Sequence, residues 1–373
     1  MKVLLTGPFG NVGSNVVSFV LEQNSAAVGD NKIVLTCLDK KSPMTESNYN
    51  SLLKSSKLAQ EAVRNGSLVV IWGDLTNAQD IKQAVAGQDA VIHLGAVIPP
   101  LAYTHPELAR KVNVDGSRLL METCNSQPKP PRFIFASSYS VHGPKNPHKN
   151  LPLMTGNTPV NPKDTYGQHK VECEQMIRKE YLGEWAILRL GAISVTLRGA
   201  LWTPSSPQLE IMTNAIPGSQ RRHGVHSKDV ALAFINAAKS DKVNGKTLMI
   251  GGDKSWMTTS AYFYTFMFSS FGLTFPVLAL REPPKEEDNA FYYEDWMDTT
   301  ESQTLLQFQQ HSMQTWGREL RSEVGVCLYF ILRLVSPLAQ WFLARKSMHY
   351  TYNRNGQRDP NASKTMTQLV LGQ

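Results

Sequence analysis

The sequence predicts an α/β fold built on a parallel, doubly wound sheet with helices on both faces. Three observations predict it: short apolar runs recur through residues 1–250, segments with helical spacing separate them, and the first run passes directly into a glycine-rich turn. Runs this uniformly apolar are typical of parallel strands, which are buried on both faces. At 373 residues the chain has room for one such domain with additions, or for two modest domains.

The individual elements follow from where apolar runs give way to helical spacing. Strands are predicted at Val3–Leu5, Lys32–Leu38, Leu68–Trp72, Ala90–Leu94, Arg132–Ala136, Trp185–Leu190 and Lys246–Ile250. Helices are predicted at Ser14–Leu21, Ser51–Arg64, Ala78–Ala86, Pro106–Cys124, Thr165–Leu182 and Ser227–Ala238. Between Val195 and Arg222 the pattern breaks up around three prolines. Long irregular segments of this kind are often binding loops.

The turn after the first strand contains Gly7, Gly10 and Gly13 and leads into a helix. Gly7 would allow the tight turn, Gly10 the close approach of a phosphate, and Gly13 the packing of helix on strand. The free N–H groups and the positive end of the helix suit a pyrophosphate. Asp39, at the end of the second strand, can accept hydrogen bonds from ribose hydroxyls and would repel a 2′-phosphate. The turn therefore predicts a dinucleotide site with NAD favoured, while the two lysines after Asp39 leave NADP open.

Composition, charge and the spacing of cysteines and histidines limit the partners, metals and compartments that we expect. The net charge is +7, the pI is near 9.1, and basic residues become denser after Arg318, which fits either an anionic surface or a solvated tail. We expect no nucleic-acid partner. The four cysteines lie far apart, so neither disulfides nor a zinc site are predicted, and a reducing, cytoplasmic compartment is expected. No secretory signal precedes the first strand. His223 and His226 lack a third ligand nearby, so we expect no metal.

Tyr166 and Lys170 are the predicted reactive pair. Four residues apart on a helix, their side chains lie on the same face, one turn apart. A tyrosine is a poor base at neutral pH, but a nearby ammonium, and an oxidised nicotinamide, would favour the phenolate. Ser138 follows the fifth predicted strand, where its hydroxyl could hold a substrate oxygen beside the phenol. Together these residues predict proton transfer to or from a substrate oxygen.

Taken in order, the motifs resemble those of the extended short-chain dehydrogenase/reductases, the group that includes NAD-dependent sugar epimerases and dehydratases. The resemblance covers about residues 1–260 and implies a Rossmann fold. Thr6–Gly13 matches the glycine-rich motif, Asp74-Leu75 is similar to the adenine-binding acidic dipeptide, and His93–Ala96 is similar to the fourth-strand signature. Asn113–Gly116 matches a helix motif, and Val225–Val230 resembles a later motif at the base of the substrate region.

The resemblance implies roles for individual residues. Ser138 would orient the substrate oxygen, Tyr166 would pass the proton, Lys170 would also bind the nicotinamide ribose, and Asn113 would support the active site. Cofactor-binding residues would be Gly7, Phe9, Gly10, Asn11, Val12, Gly13, Asp39, Asp74, Leu75, Leu94, Gly95, Ala96 and Lys170. The resemblance also implies a homodimer through the two long helices, Pro106–Cys124 and Thr165–Leu182.

Departures from the family pattern narrow the expected reaction. Tyr139-Ser140 stands where sugar dehydratases carry Asp-Glu, so dehydration is not expected. His142 replaces a tyrosine, and either packs in the core or faces the substrate, as His226 also could. We expect an NAD(P)-dependent oxidoreductase acting on an alcohol or ketone of a small or amphiphilic molecule. An epimerase of a nucleotide sugar or related hydroxyl compound, and a cofactor-binding subunit without catalysis, are the alternatives.

The C-terminal part adds helices to the core. Our division is a dinucleotide-binding core including the catalytic helix (1–190), a substrate-binding region with interleaved Rossmann elements (191–299), a helical extension (300–346) and a polar, mobile tail (347–373). A helix is expected over Thr300–Arg321. The run Val324–Leu343 is as long as a transmembrane helix, but Pro337 would kink or end it and its polar residues share one stripe. Either packing on the body or a peripheral membrane contact through 324–346 is expected.

Overall fold

Seven parallel strands form the central sheet of the computed structural model, which describes residues 1–26, 32–196, 211–365 and 368–369. The ten strands are β1 (Lys2–Thr6), β2 (Val34–Asp39), β3 (Leu68–Trp72), β4 (Ala90–His93), β5 (Arg132–Ser138), β6 (Trp185–Leu190), β7 (Ala192–Ile193), β8 (Arg221–Val225), β9 (Lys246–Ile250) and β10 (Met257–Thr259). The central sheet runs β3-β2-β1-β4-β5-β6-β9, and a smaller sheet runs β10-β8-β7. The chain order reverses between β1 and β4, which opens a crevice at the carboxyl ends of these strands.

Helices cover both faces of the central sheet, as the sequence predicts. The helices are α1 (Asn11–Ala26), α2 (Pro43–Ser55), α3 (Lys57–Arg64), α4 (Ala78–Val85), α5 (Leu101–Thr104), α6 (Pro106–Arg110), α7 (Ser117–Asn125), α8 (Thr165–Glu180), α9 (Ser227–Lys239), α10 (Ser260–Ser270), α11 (Thr300–Leu306), α12 (Met313–Val324), α13 (Val326–Lys346) and α14 (Tyr350–Arg354). α1, α3 and α9 pack in the core on one face, and α4, α7 and α8 pack in the core on the other. The predicted doubly wound Rossmann fold is confirmed.

Two predicted helices differ in the structure. The helix predicted over Ser51–Arg64 is two helices, because Ser56 closes α2 and caps α3, with its side chain accepting from the Ala59 amide. The long helix predicted from Pro106 contains a π-helical segment, Lys111–Gly116, between α6 and α7. Such insertions are frequent at functional sites, and this one carries a predicted active-site residue.

A second, aromatic core lies outside the central sheet. It joins α10, α12 and α13 through Phe263, Met267, Trp316, Leu320 and Tyr329. The rings of Phe263 and Trp316 stack with their centres 5.3 Å apart. Half of the irregular segment predicted between Val195 and Arg222, residues 197–210, lies outside the described residues, and its last two residues begin β8.

The C-terminal extension departs from prediction at three points. The helix expected over Thr300–Arg321 is divided into α11 and α12, with Gln307 left-handed between them (φ +47°). α13 continues through Pro337 to Lys346, so the proline does not end it. The expectation of a mobile tail is wrong for its first part, because His349 and Asp359 are buried and paired with each other. Burial of this pair fixes the chain after α13 onto the body.

Candidate active site

The glycine-rich turn between β1 and α1 forms a cradle that side chains would fill. The Gly7 amide donates to the Leu38 carbonyl at 3.1 Å, and Gly7 adopts a φ of +69°. A Cβ on Gly13 would lie 2.1 Å from the Gly7 carbonyl oxygen, so α1 begins in direct contact with the turn. A Cβ on Gly10 would meet only that oxygen, at 3.6 Å. The outer surface of the turn is therefore open beside the start of α1, which fits a dinucleotide diphosphate.

Asp39 lies beside this turn at the end of β2. Its carboxylate accepts hydrogen bonds from the Phe9 amide at 3.2 Å and the Lys40 amide at 2.9 Å. Burial raises the pKa of Asp39 from its ordinary value. The Lys40 ammonium lies 2.8 Å from a carboxylate oxygen of Asp74, which balances its charge. This arrangement favours ribose hydroxyls over a 2′-phosphate at this end of the cradle.

The loop after β4 brings the next predicted cofactor residues to the same crevice. The Gly95 amide donates to the Thr6 hydroxyl at 3.0 Å, and Leu75 packs where a Cβ on Gly95 would lie. The Asn113 side chain accepts from the Val97 amide at 2.7 Å and donates to the Val97 carbonyl at 2.8 Å. Asn113 thus holds the loop against the π-helical segment to which it belongs.

Ser138 ends β5 and caps the short 3₁₀ turn Tyr139–His142. Its hydroxyl oxygen accepts from the Ser140 amide at 3.2 Å and from the Ser140 hydroxyl at 2.9 Å. Because both internal contacts use lone pairs of the oxygen, the Ser138 proton is left to donate outward. The Ser140 carbonyl also lies beside Gly167 in the first turn of α8, which brings the end of β5 close to α8.

Tyr166 and Lys170 share the first turns of α8, and Asp164 caps that helix by accepting from the Gly167 amide at 2.6 Å. The Lys170 ammonium is buried, donates to the Ala136 carbonyl at 2.6 Å and lies 5.6 Å from the centre of the Tyr166 ring. Burial lowers the pKa of Lys170 to about 8. Lys170 therefore ties α8 to β5 just before Ser138.

The structure reverses one expectation about Tyr166. Burial, followed by the negative charge of Asp164, raises the pKa of its phenol above the ordinary value. The sequence-based argument considered the ammonium and omitted desolvation, which disfavours the phenolate. The phenol is therefore protonated at neutral pH and suited to donate a proton.

A cavity of about 240 Å³ has a mostly apolar lining. The lining residues are Pro99, Pro100, Ala192, Ile193, Val195, Ile211, Met212, Ile216, Arg222, Phe263, Tyr264, Met267 and Tyr292. Tyr166 is not among these lining residues, but it packs in the same cluster as Ile211 and Tyr292, which are. The cavity has the size and lining of part of a small-molecule site.

Arg222 is the charged residue of this lining, and its charge is balanced internally. Its guanidinium donates to a carboxylate oxygen of Glu294 at 3.0 Å. The same group lies over the rings of Phe263 and Tyr264, at 4.9 and 5.0 Å from their centres. Glu294 is fully buried and also accepts from the Tyr139 hydroxyl. The cavity wall is therefore close to neutral.

The two histidines considered for substrate contact have internal partners. His142 is buried, with one ring nitrogen 3.1 Å from the Pro159 carbonyl and the other 3.3 Å from Arg189. Burial, and then the charge of Arg189, lower the pKa of His142 to about 4. His226 caps α9 and pairs with Glu319 of α12 at 2.8 Å. Neither lines the cavity, so the packing alternative describes His142, and His226 joins α9 to the extension.

Sequence reasoning missed most of the cavity wall. Arg222 lay at the end of a segment predicted to be irregular, and no role was predicted for Tyr292 or Glu294. α10, in which Phe263 and Tyr264 lie about one helical turn before Met267, was not predicted. The spacing of those apolar residues was the available signal. Among the described residues no cluster of metal ligands occurs, and all four cysteines are free.

Comparisons with known proteins agree with this geometry. A model of the NAD dependent epimerase/dehydratase family matches residues 3–251. D-erythronate dehydrogenase of Cupriavidus necator is 29% identical over 203 residues, which are 52% of this chain and 56% of that protein. Human 3 beta-hydroxysteroid dehydrogenase type 7 is 28% identical over 198 residues, 53% of this chain and 46% of that protein. The chain thus spans about half the length of the curated relatives it matches.

Solved structures show the same fold. UDP-glucuronic acid 4-epimerase from Bacillus cereus, in complex with UDP-glucuronic acid and NAD, superposes with a TM-score of 0.64 at 20% identity, covering 87% of this chain and 100% of that one. UDP-glucose 4-epimerase from Thermotoga maritima, with UDP-glucose, gives a TM-score of 0.63 at 18% identity, covering 90% and 100%. At these identities the likeness extends to the fold and no further.

Proposed function

Because the chain belongs to the NAD dependent epimerase/dehydratase family, we propose that it is an NAD-dependent oxidoreductase acting on an alcohol or ketone of a largely apolar molecule. The observation that carries the proposal is a mostly apolar cavity whose lining residues Ile211 and Tyr292 pack in one cluster with Tyr166, in a fold whose glycine turn forms a cradle that fits a dinucleotide. The cofactor of this family is NAD. Hydride transfer is the chemistry that NAD supplies when bound.

Ser138, Tyr166 and Lys170 divide the proton chemistry in this proposal. Ser138 donates a hydrogen bond to the substrate oxygen and so holds that oxygen beside the phenol. In the direction of reduction, Tyr166 gives its proton to the carbonyl oxygen as hydride reaches the carbonyl carbon, so that a ketone becomes an alcohol. The resulting phenolate is stabilised by the ammonium of Lys170, which the Ala136 carbonyl holds in place. Groups positioned in this way typically contribute about 10²–10⁴-fold to the rate.

The cavity supports an apolar substrate. Aliphatic and aromatic side chains form nearly all of its wall, and the charge of Arg222 is already balanced by Glu294. A small hydroxy acid, the kind of compound for which the first relative is named, would bring a carboxylate that this neutral wall does not offset. A hydroxysteroid, for which the human relative is named, presents the ring surface and single oxygen that suit such a wall.

Epimerisation of a nucleotide sugar remains the second candidate, since the solved structures that share the fold include such enzymes. It requires the substrate carbon to be oxidised and re-reduced with no net change in NAD. The paired state of Arg222 disfavours it, because a nucleotide diphosphate needs cations that are free to bind it.

The test uses purified full-length protein, NADH and a panel of apolar and polar ketones. We expect NADH oxidation with apolar ketones, and we expect Tyr166→Phe to lower kcat by about 10²-fold or more while the Kd for NAD stays nearly unchanged. Tyr262→Phe, at an exposed tyrosine of α10, is the matched control and should behave as wild type. Full activity of Tyr166→Phe would disprove the catalytic assignment. Turnover of a nucleotide sugar without net NADH change would favour the epimerase.

A further inference from the structure

The outer face of α13 is a large apolar surface on a folded body. α13 is 21 residues long, and its most apolar window has a mean hydropathy of 1.6 although only 11% of that window is buried. In the part of the chain that the structure describes, it is the one helix long and apolar enough to cross a membrane. Leu334 and Leu338, near its middle, are 81% and 67% exposed. A surface of this kind usually has a partner.

The apolar side chains of α13 divide into an inner and an outer face. Tyr329 and Ala344 are buried against the body, and Leu332 and Leu343 are partly buried beside them. The outer face, on the opposite side of the helix, contains Ile331, Leu334, Leu338, Trp341 and Phe342, all exposed. The helix is thus apolar on both sides, but only one side is covered.

Contacts between α13 and the body along the whole helix decide whether it can cross a membrane or only lie on its surface. At its middle, the Ser336 hydroxyl accepts from the Thr274 amide at 2.8 Å. Just past its end, the Ser347 hydroxyl donates to the Ala279 carbonyl at 2.5 Å. At its start, Tyr329 packs on Gly272, where an added Cβ would lie 2.6 Å from the Tyr329 carbonyl oxygen. The body therefore covers one side of the whole helix, which is compatible with lying on a membrane surface and not with crossing one.

Cations and aromatic rings accompany the outer face. α13 contains Arg333, Arg345 and Lys346 and no acidic residue, and none of the three makes an ion pair within the described ranges. The Arg345 guanidinium lies 4.1 Å from the centre of the Trp341 ring, and the Lys346 ammonium lies 5.6 Å from that of Phe342. Aromatic rings next to basic groups are typical of helices at the boundary between lipid headgroups and acyl chains.

We propose that the outer face of α13 binds the surface of a lipid bilayer containing anionic headgroups. The apolar side chains enter the acyl boundary while Arg345 and Lys346, at the end of the helix, contact the headgroups. A second copy of the chain is a poorer occupant, because this face offers it cations and no complementary acid. The proposal does not depend on the proposed reaction, since it concerns a surface rather than the active site.

The test is co-sedimentation of the full-length protein with vesicles of phosphatidylcholine alone or mixed with phosphatidylglycerol. We expect binding that increases with phosphatidylglycerol and weakens as salt is raised. Leu334→Glu and Leu338→Glu should each weaken binding by about tenfold or more, since each removes a buried leucine from the lipid. Leu182→Glu, at an equally exposed leucine of the body, should leave it unchanged. R345Q together with K346Q should remove most of the dependence on phosphatidylglycerol.

Three outcomes would overturn the proposal. The first is wild-type protein that stays in solution with both kinds of vesicle. The second is wild-type binding that Leu334→Glu does not change. The third is a concentration-dependent dimer that Leu338→Glu dissociates, without vesicle binding, which would make this face a subunit interface. The Tm and far-UV circular dichroism of each variant, measured in parallel without vesicles, show that it is folded and keep this result separate from the test of the reaction.

Discussion

The dinucleotide assignment can be tested by two substitutions in the glycine turn. One should lower the melting temperature, and the other should weaken NAD binding without changing it. In Gly13→Ala the new Cβ would lie 2.1 Å from the Gly7 carbonyl oxygen and 2.8 Å from Pro8 Cα, both backbone atoms that cannot rotate away. The first contact is roughly 1.3 Å shorter than an ordinary one, so α1 must move off the turn. Overpacking of this kind costs about 1–3 kcal/mol, which should lower Tm by several degrees.

Gly10→Ala is the matched case. Its Cβ would meet only the Gly7 oxygen, at 3.6 Å, which is ordinary contact. We therefore expect an unchanged Tm and a Kd for NAD that rises by about tenfold or more, because the methyl group occupies the open surface where the diphosphate must approach. Scanning fluorimetry gives Tm, and isothermal titration calorimetry gives the Kd. Wild-type affinity in Gly10→Ala would refute the placement of the diphosphate, and an unchanged Tm in Gly13→Ala would refute the packing argument.

Three further perturbations test the surrounding structure. Glu174→Gln leaves the buried guanidinium of Arg189 without its carboxylate partner and should lower the free energy of unfolding by about 3–5 kcal/mol in urea titrations, whereas Arg110→Gln, at an exposed pair, should cost less than about 1 kcal/mol. Burial lowers the pKa of His93 to about 3, so the folded state binds fewer protons than the unfolded state; stability is complete above the ordinary pKa of 6.5 and falls as pH drops toward 3. The expected loss is about 2 kcal/mol by pH 5, and a His93→Gln variant should show a shallower loss in urea titrations across this range. Asp39→Ala should improve NADP binding relative to NAD by about tenfold, read from the two Kd values, and an unchanged ratio would argue against contact with the ribose.

The sequence predicted the parts of the site that lie within a single element or at its end. The bounds of β3, β6 and β9 match the predicted runs, because a short, mainly apolar run has few alternatives to a buried strand. The positions of the glycine turn and of the pair Tyr166–Lys170 could also be predicted from the sequence, since strand-to-helix order and helical spacing determine them. Their chemical roles stay predictions until the variants are measured.

Some helix bounds predicted from the spacing of apolar residues were wrong, because single residues interrupt the helix without changing that spacing. Ser56 divided one predicted helix because its side chain satisfies the amides of a new helix start. Gln307 divided another by adopting a left-handed conformation. Such changes depend on one residue and its contacts, so a pattern averaged over a window does not detect them. Of the two effects predicted for Pro337, a kink or an end of the helix, the end does not occur, since α13 continues across it to Lys346.

By itself the sequence determined the sheet, the cradle for the dinucleotide and the order of the reactive residues, because alternation and spacing are properties of neighbouring positions. Only the tertiary structure decided what surrounds them. The pairing of Arg222 with Glu294 joins positions 72 residues apart and makes the cavity wall neutral. Burial raised the pKa of Tyr166 where spacing alone suggested the reverse. Desolvation and charge balance depend on all the segments that pack around a group, and these segments meet only in the folded chain.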